Sequence, residues 1–335
     1  MNPIIQIQQL CAGYKQGMHF TEVIQNLNAS VLKGEIIGVI GKNGIGKSTM
    51  LRTLTREQSP LSGSIAIEGK NINDFTRNEF ARKVSFVSTE SIRLSHCTVR
   101  ELVSFGRYPY TDWFGRVTPE DKNVISEAIS MVGLSSLANR YINEISDGER
   151  QRVMVARTLA QDTDIIILDE PTAFLDMPNK FEVIHLLSEL TKTKNKTIIF
   201  SSHDLNIAMK EADRLWLMMP DDLIDGAPED LVLQNAISKV FGQSSLQFDT
   251  SKGEFSILRK SAGFCKLTGK GTVLTWTQKA LERLGYETDN ENAEHSIEIV
   301  IHEKGADYFW ELADNGEKHS FISIYELAGF LKRKK

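Results

Sequence analysis

The sequence predicts an α/β fold: a largely parallel sheet core with an antiparallel β flank, a helical subdomain inserted into it, and a small C-terminal α+β module. Three observations predict it. Short apolar runs bounded by glycine or acidic residues alternate with helical patterns through the first two thirds of the chain. A stretch from about residue 90 to 161 is dominated by helical spacing, as in Val124-Ala128-Met131-Val132 and Val153-Ala156-Leu159-Ala160. Beyond about residue 260 the texture shifts again, to a short alternation of helix and strand patterns.

In chain order, I-I-Q-I-Q near the start and Ser64 to Glu68 are shorter strands, assigned to the antiparallel flank. Ile36 to Ile40, Ile165 to Leu168 and Thr197 to Phe200 are continuous apolar runs, as strands buried on both faces require. In the last part, Leu274 to Leu284 is an amphipathic helix, Ser296 to Ile301 and Tyr308 to Leu312 are strands, and Phe321 to Leu331 is a closing helix. Trp276, Tyr308, Phe309 and Trp310 are expected to build that module's core. The division expected is residues 1–245 and 246–335.

Composition narrows the function. Lys+Arg total 39 against 44 Asp+Glu, a net charge of −5, which argues against a nucleic-acid partner. Cys11, Cys97 and Cys265 are odd in number and far apart, so neither a disulfide framework nor a metal knuckle is expected. No ligand spacing supports a metal centre at His295, His302, His319 and Cys265. No apolar run approaches the roughly 20 residues of a membrane helix, and the start M-N-P-I-I-Q has no basic region followed by an apolar one. A cytosolic placement is expected.

Gly41-Lys42-Asn43-Gly44-Ile45-Gly46-Lys47-Ser48-Thr49 follows a strand and opens a helix. Glycines there let backbone N–H groups curl around phosphate oxygens, and the helix start adds positive potential. Lys47 would face the β/γ phosphates and the Ser48 hydroxyl a Mg²⁺ ion. A carboxylate at a neighbouring strand end is the second requirement, and Ile165-Ile166-Ile167-Leu168-Asp169-Glu170 supplies two. Successive side chains on a strand point oppositely, so the natural division puts Asp169 on Mg²⁺ and Glu170 on the attacking water as general base.

At this point the chain resembles the ATP-binding cassette family, over about residues 4 to 245. Ile145-Ser146-Asp147-Gly148-Glu149-Arg150-Gln151-Arg152 is similar to its signature L-S-G-G-Q-x-Q-R, Ala173-Phe174-Leu175-Asp176 to its D-loop, His203 to its switch histidine, and Tyr14 to the aromatic that stacks on adenine. The resemblance implies a RecA-like P-loop NTPase core that binds and hydrolyses ATP with Mg²⁺. It also implies a head-to-tail homodimer in which Ser146, Gly148, Glu149 and Asp176 of one copy contact the ATP held by the other. Ser146 and Gly148 stand at a helix start, which gives this second anion site a physical basis. Tyr14 as an ordinary strand aromatic, His203 as a turn residue and Asp176 as a helix cap stay open alternatives.

Two departures stand out. Thr89 occupies the place of the family's metal-touching glutamine, with Glu90 beside it, and its shorter hydroxyl does not carry that role in full. Asp147 and Glu149 replace Gly and Gln in the signature and are expected to turn away or toward Arg150 and Arg152. The stretch 98–116, with Tyr108, Tyr110, Trp113 and Phe114 between Arg107 and Arg116, resembles the ATPases of iron-siderophore, haem and cobalamin importers. That group implies separate integral membrane permease subunits, an extracytoplasmic substrate-binding protein, and a peripheral position on the cytoplasmic face of the inner membrane. Within 98–116, core packing and a permease-docking surface are both open. The alternative function is a soluble cassette ATPase such as an iron–sulfur assembly scaffold.

Overall fold

A computed structural model describes residues 2–16, 19–88, 96–112, 115–220, 222–242, 246–250, 253–257, 260–288, 297–305 and 307–334. The chain forms two compact units, one of residues up to 243 with 247–256, the other from 257 onward with 244–246.

The first unit opens with β1 (Ile5–Gln16), β2 (His19–Val31), β3 (Ile36–Ile40) and α1 (Lys47–Leu54), then β4 (Ser62–Ile67), β5 (Lys70–Asn71), α2 (Arg77–Ala81) and β6 (Val84–Val87). A helical layer of α3 (Val99–Ser104), α4 (Pro119–Met131) and α5 (Asp147–Ala160) follows. The chain then returns through β7 (Ile165–Leu168), α6 (Met177–Lys194), β8 (Thr197–Ser202), α7 (Leu205–Glu211), β9 (Arg214–Met218) and β10 (Leu223–Gly226). It closes with α8 (Pro228–Leu233), α9 (Ala236–Phe241) and the hairpin β11 (Leu246–Asp249) and β12 (Glu254–Ile257).

Six strands form the central sheet in the order β10-β9-β3-β8-β7-β6, parallel except for β10 on β9. The flank is antiparallel, in the order β2-β1-β4-β5. Continuous apolar runs are needed because both faces of the central sheet are covered. Ile36 and Ile40 of β3, Ile166 and Leu168 of β7, and Ile198 and Phe200 of β8 join the core beneath the helices. Their odd-numbered neighbours Ile37, Val39, Ile165, Ile167 and Ile199 join a second core with α1 and the flank. Each such side chain contributes about 1.5–3 kcal/mol of burial. This period of two decides which face each residue beyond a strand end will meet.

The helices of the inserted layer start where local chemistry dictates. Thr98 with Glu101, Thr118 with Asp121, and Ser146 with Glu149 each close a reciprocal capping box. In the 98–116 stretch the structure divides the two open readings. Arg107 is buried, paired with Asp121 at 2.7 Å, and donates to the Ala160 carbonyl at 3.0 Å, so it packs inside. Its guanidinium lies 3.9 Å from the Tyr110 ring centroid. Phe105 and Tyr108, by contrast, are 56% and 78% exposed. Trp113 and Phe114 lie outside the described residues.

The hairpin β11–β12, placed by sequence in the C-terminal segment, belongs with the first unit through residues 247–256. The reason is aromatic: Phe255 meets Phe248 and Phe241 edge-on at 5.1 and 5.8 Å between centroids.

The second unit holds β13 (Gly263–Thr268), α10 (Gly271–Leu284), β14 (Tyr286–Glu287), β15 (Ile297–Lys304), β16 (Asp307–Asp314), β17 (Glu317–Phe321) and α11 (Ile324–Arg333), with sheet order β14-β13-β15-β16-β17. Two expectations need correction here. Phe321 ends a strand rather than opening a helix, because Ser323 caps α11 through Glu326 and β17 pairs with β16. Of the four expected core aromatics, Trp310 is buried and donates from Nε1 to Thr277 Oγ1 at 2.9 Å, whereas Trp276 and Tyr308 are 59% and 41% exposed. On α10 the inward face is Thr277, Ala280 and Leu281, which leaves Trp276 outside beside Lys279. Tyr308 stands next to the β15–β16 turn.

Candidate nucleotide site

The loop from Gly41 to Gly46 leaves the C-terminal end of β3 and runs into α1. Gly46 turns the chain at φ +111°, and a Cβ there would stand 2.7 Å from Val23 Cγ1. Gly44, at φ +77°, needs the same left-handed freedom. Lys47 is 5% exposed, and its ammonium donates to the carbonyls of Gly41 at 2.8 Å and Lys42 at 3.2 Å. Burial pushes its pKa below the ordinary lysine value, while the Glu170 and Asp169 carboxylates push back. The loop therefore holds a cation largely removed from water and directed at its own cradle.

Tyr14, from the end of β1, shares a 2.9 Å hydrogen bond between its hydroxyl and Thr49 Oγ1. It keeps 47% of its surface exposed. Tyr14, Asn43, Gly44, Gly46, Lys47, Ser48 and Thr49 border one cavity of about 420 Å³, and Glu170 and His203 border it from the other side. Val23 also lines it. The sequence reading missed Val23 because it did not mark β2 as a strand.

Asp169 continues the odd-numbered face of β7, the face of α1. It is 1% exposed; its Oδ1 accepts the Ser201 hydroxyl at 2.7 Å, and its Oδ2 is buried with no hydrogen-bond partner among the described residues. A buried orphan carboxylate oxygen, with the Ser48 hydroxyl on the neighbouring cavity wall, suits a small divalent cation that prefers oxygen ligands. The strand has ended by Glu170, whose backbone is left-handed at φ +50°. Its carboxylate contacts His203 Nε2. Both acids thus lie beyond the strand end, where strand alternation no longer applies: Asp169 is buried against Ser201, while Glu170 borders the cavity. Ser201, which the sequence reading did not single out, touches both: it also accepts the Glu170 N–H at 2.8 Å.

The signature residues lie elsewhere. Ser146 caps α5, and its backbone N–H and hydroxyl both donate to Glu149 Oε2, at 2.8 and 2.9 Å. Glu149 therefore folds back onto the cap instead of turning to an arginine, and these Ser146 donors hold its pKa below the ordinary value. Asp147 does turn to Arg150, at 2.8 Å. Gly148 faces the D-loop: a Cβ there would stand 3.2 Å from Leu175 Cδ2. Asp176 caps α6 by accepting the Asn179 N–H at 3.2 Å. None of Ser146, Gly148, Glu149 and Asp176 borders the cavity that holds Lys47. Thr89 lies outside the described residues.

The ABC transporter family profile matches residues 24–173, and the iron ABC transporter C-terminal domain matches residues 264–332. The petrobactin import ATP-binding protein FpuD of Bacillus anthracis is 37% identical over 242 residues, which cover 72% of this chain and 87% of that protein. The chain belongs to the ABC transporter ATP-binding proteins. The ferric enterobactin transport ATP-binding protein FepC of Escherichia coli (strain K12) is 35% identical over 243 residues, 72% of this chain and 88% of its own. Among solved structures, the dimeric post-hydrolysis state of the ATP-binding cassette MJ0796, bound to ADP and phosphate, superposes with a TM-score of 0.60. It is 26% identical, and the match covers 67% of this chain and 98% of that one. This ABC protein is an ATP hydrolase, and among its described residues no helix is long and apolar enough to cross a membrane.

Proposed function

We propose that this ABC ATPase powers the import of an iron–siderophore complex, working as a head-to-tail homodimer beneath separate membrane permease subunits on the cytoplasmic face of the inner membrane. One observation carries the proposal. The candidate phosphate site at Lys47 shares one cavity with Tyr14, Asn43, Gly44, Gly46, Ser48 and Thr49, whereas the second candidate anion site, the α5 start at Ser146, is not among that cavity's lining residues. A partner copy must supply Ser146, Gly148 and Asp176 if both sites are to grip one nucleotide. The petrobactin and enterobactin relatives support a siderophore complex over haem or cobalamin, and import over a soluble assembly scaffold. An extracytoplasmic binding protein would deliver that cargo, and nucleic acid has no part in the scheme.

In this scheme Tyr14 stacks on the adenine, and the N–H groups of Asn43, Gly44 and Gly46 with the Lys47 ammonium hold the phosphates. Ser48 and, through water, Asp169 would hold Mg²⁺, which neutralises charge on the phosphate oxygens when bound. Glu170 accepts a proton from the attacking water as a bond forms to the γ-phosphorus and the bond to the ADP oxygen breaks. His203, paired with Glu170, orients that carboxylate. Thr89 is too short to replace a glutamine at the same place. Exposed Phe105 and Tyr108 offer aromatic surface for the permease.

The test is co-purification. A permease pair should hold this chain at the membrane, and a ferric siderophore presented with its binding protein should stimulate ATP hydrolysis. A wholly soluble pool with no permease bound contradicts the proposal.

A further inference from the structure

Ser201 stands near the end of β8, where the parallel strands present their C-terminal edge to the nucleotide cavity. It is fully buried, on the same odd-numbered face as Asp169, and β7 and β8 pair in register up to Leu168 beside Phe200. A serine hydroxyl has one hydrogen to give and lone pairs to accept with. Here the hydrogen goes to Asp169 Oδ1 at 2.7 Å, and a lone pair takes the Glu170 N–H at 2.8 Å. A buried hydroxyl in the strand T-I-I-F-S-S is costly unless it is fully bonded, and both bonds of Ser201 run to the two acidic residues. One bond pins the Asp169 carboxylate so that Oδ2 alone has no partner among the described residues. The other holds the Glu170 backbone at φ +50°, past the end of the strand.

We propose that Ser201 is a positioning residue for ATP hydrolysis: one hydroxyl ties the Asp169 carboxylate to the Glu170 backbone, so that the cation-holding oxygen and the proton-accepting side chain are set by the same atom. The proposal rests on the roles given above to Asp169 and Glu170. Alanine fills the strand but can make neither bond, whereas threonine keeps the hydroxyl.

The test compares Ser201→Ala, Ser201→Thr and Asp169→Asn in the full chain. Two quantities are read: the thermal stabilisation by ATP in EDTA with the further increment on adding Mg²⁺, and the Mg²⁺ dependence and kcat of hydrolysis. Ser201→Ala should keep the stabilisation by ATP in EDTA and lose most of the Mg²⁺ increment. Losing a hydrogen bond to a charged group should raise its Mg²⁺ requirement about 10-fold and lower kcat about 10- to 100-fold. Ser201→Thr should recover to within about 3-fold of the parent, as a retained hydroxyl predicts. A parent-like Mg²⁺ increment and kcat in Ser201→Ala would overturn the proposal, as would a Ser201→Thr no better than the alanine variant. If Asp169→Asn loses the increment while Ser201→Ala keeps it, the Ser201 proposal alone falls. If Asp169→Asn keeps it, the role given to Asp169 falls and takes this one with it. Should Ser201→Ala not fold, Ser201→Cys, with its weaker donor, carries the same comparison and should lie between alanine and threonine.

Discussion

Gly46 concentrates the demands of the cradle in one residue. Its φ of +111° is open to glycine, and Val23 fills the space a side chain would need. Gly46→Ala should therefore destabilise the folded protein by about 1–3 kcal/mol and weaken ATP binding, as thermal unfolding with and without nucleotide will show. Glu149 is a second residue whose surroundings fix a measurable property. The Ser146 N–H and hydroxyl donate to its carboxylate and hold its pKa down, so its share of the cap is complete above the ordinary glutamate value and is lost as pH falls through the depressed one. An NMR titration should place Glu149 below its ordinary 4.5, and a midpoint at or above it would contradict the cap. At this scale the phosphate loop and the Asp169–Glu170 pair were legible in the sequence, because a glycine-rich loop and a strand-end carboxylate are written as contiguous residues. Ser201 was not, because its partners lie 32 and 31 residues away and only strand register brings them together.

Among the elements, the inserted helical layer depends on a buried charge. Arg107 is held by Asp121 and the Ala160 carbonyl, joining the turn after α3 to the start of α4 and the end of α5. Arg107→Ala leaves the Asp121 carboxylate buried without its cation. It should cost about 3–5 kcal/mol, read as a lowered melting temperature, whereas Tyr108→Ala on the exposed side should leave stability nearly unchanged. The strands β3 and β7 were legible to the residue because both-face burial demands unbroken apolar runs, and β8 ran two serines beyond its apolar run. The edges were harder. β17 carries Glu-Lys-His-Ser-Phe, a polar sequence whose strand state comes from pairing with β16 and not from its own pattern. Its last residue, Phe321, was drawn into the helix pattern that follows.

For the whole molecule, every described residue lining the nucleotide cavity belongs to the first unit. Among the described residues, even the neighbouring cavity behind Glu170 and His203 reaches no further along the chain than Phe255. A chain ending at residue 257 should fold and bind MgATP with unchanged affinity; loss of binding, measured by titration, would contradict that independence. The expected division at 245, which followed the extent of the family resemblance, left this hairpin out because its hold is three aromatic rings far from any motif. The proposed head-to-tail pair is likewise not a property of one chain. The proposal rests on Ser146 lying apart from the cavity that Lys47 and Glu170 border. Glu170→Gln, which keeps the shape of the side chain and removes its basicity, tests this most directly. Sedimentation at saturating MgATP should show a stable dimer with hydrolysis nearly abolished. A monomer under those conditions, or turnover at the parent rate, would contradict the account.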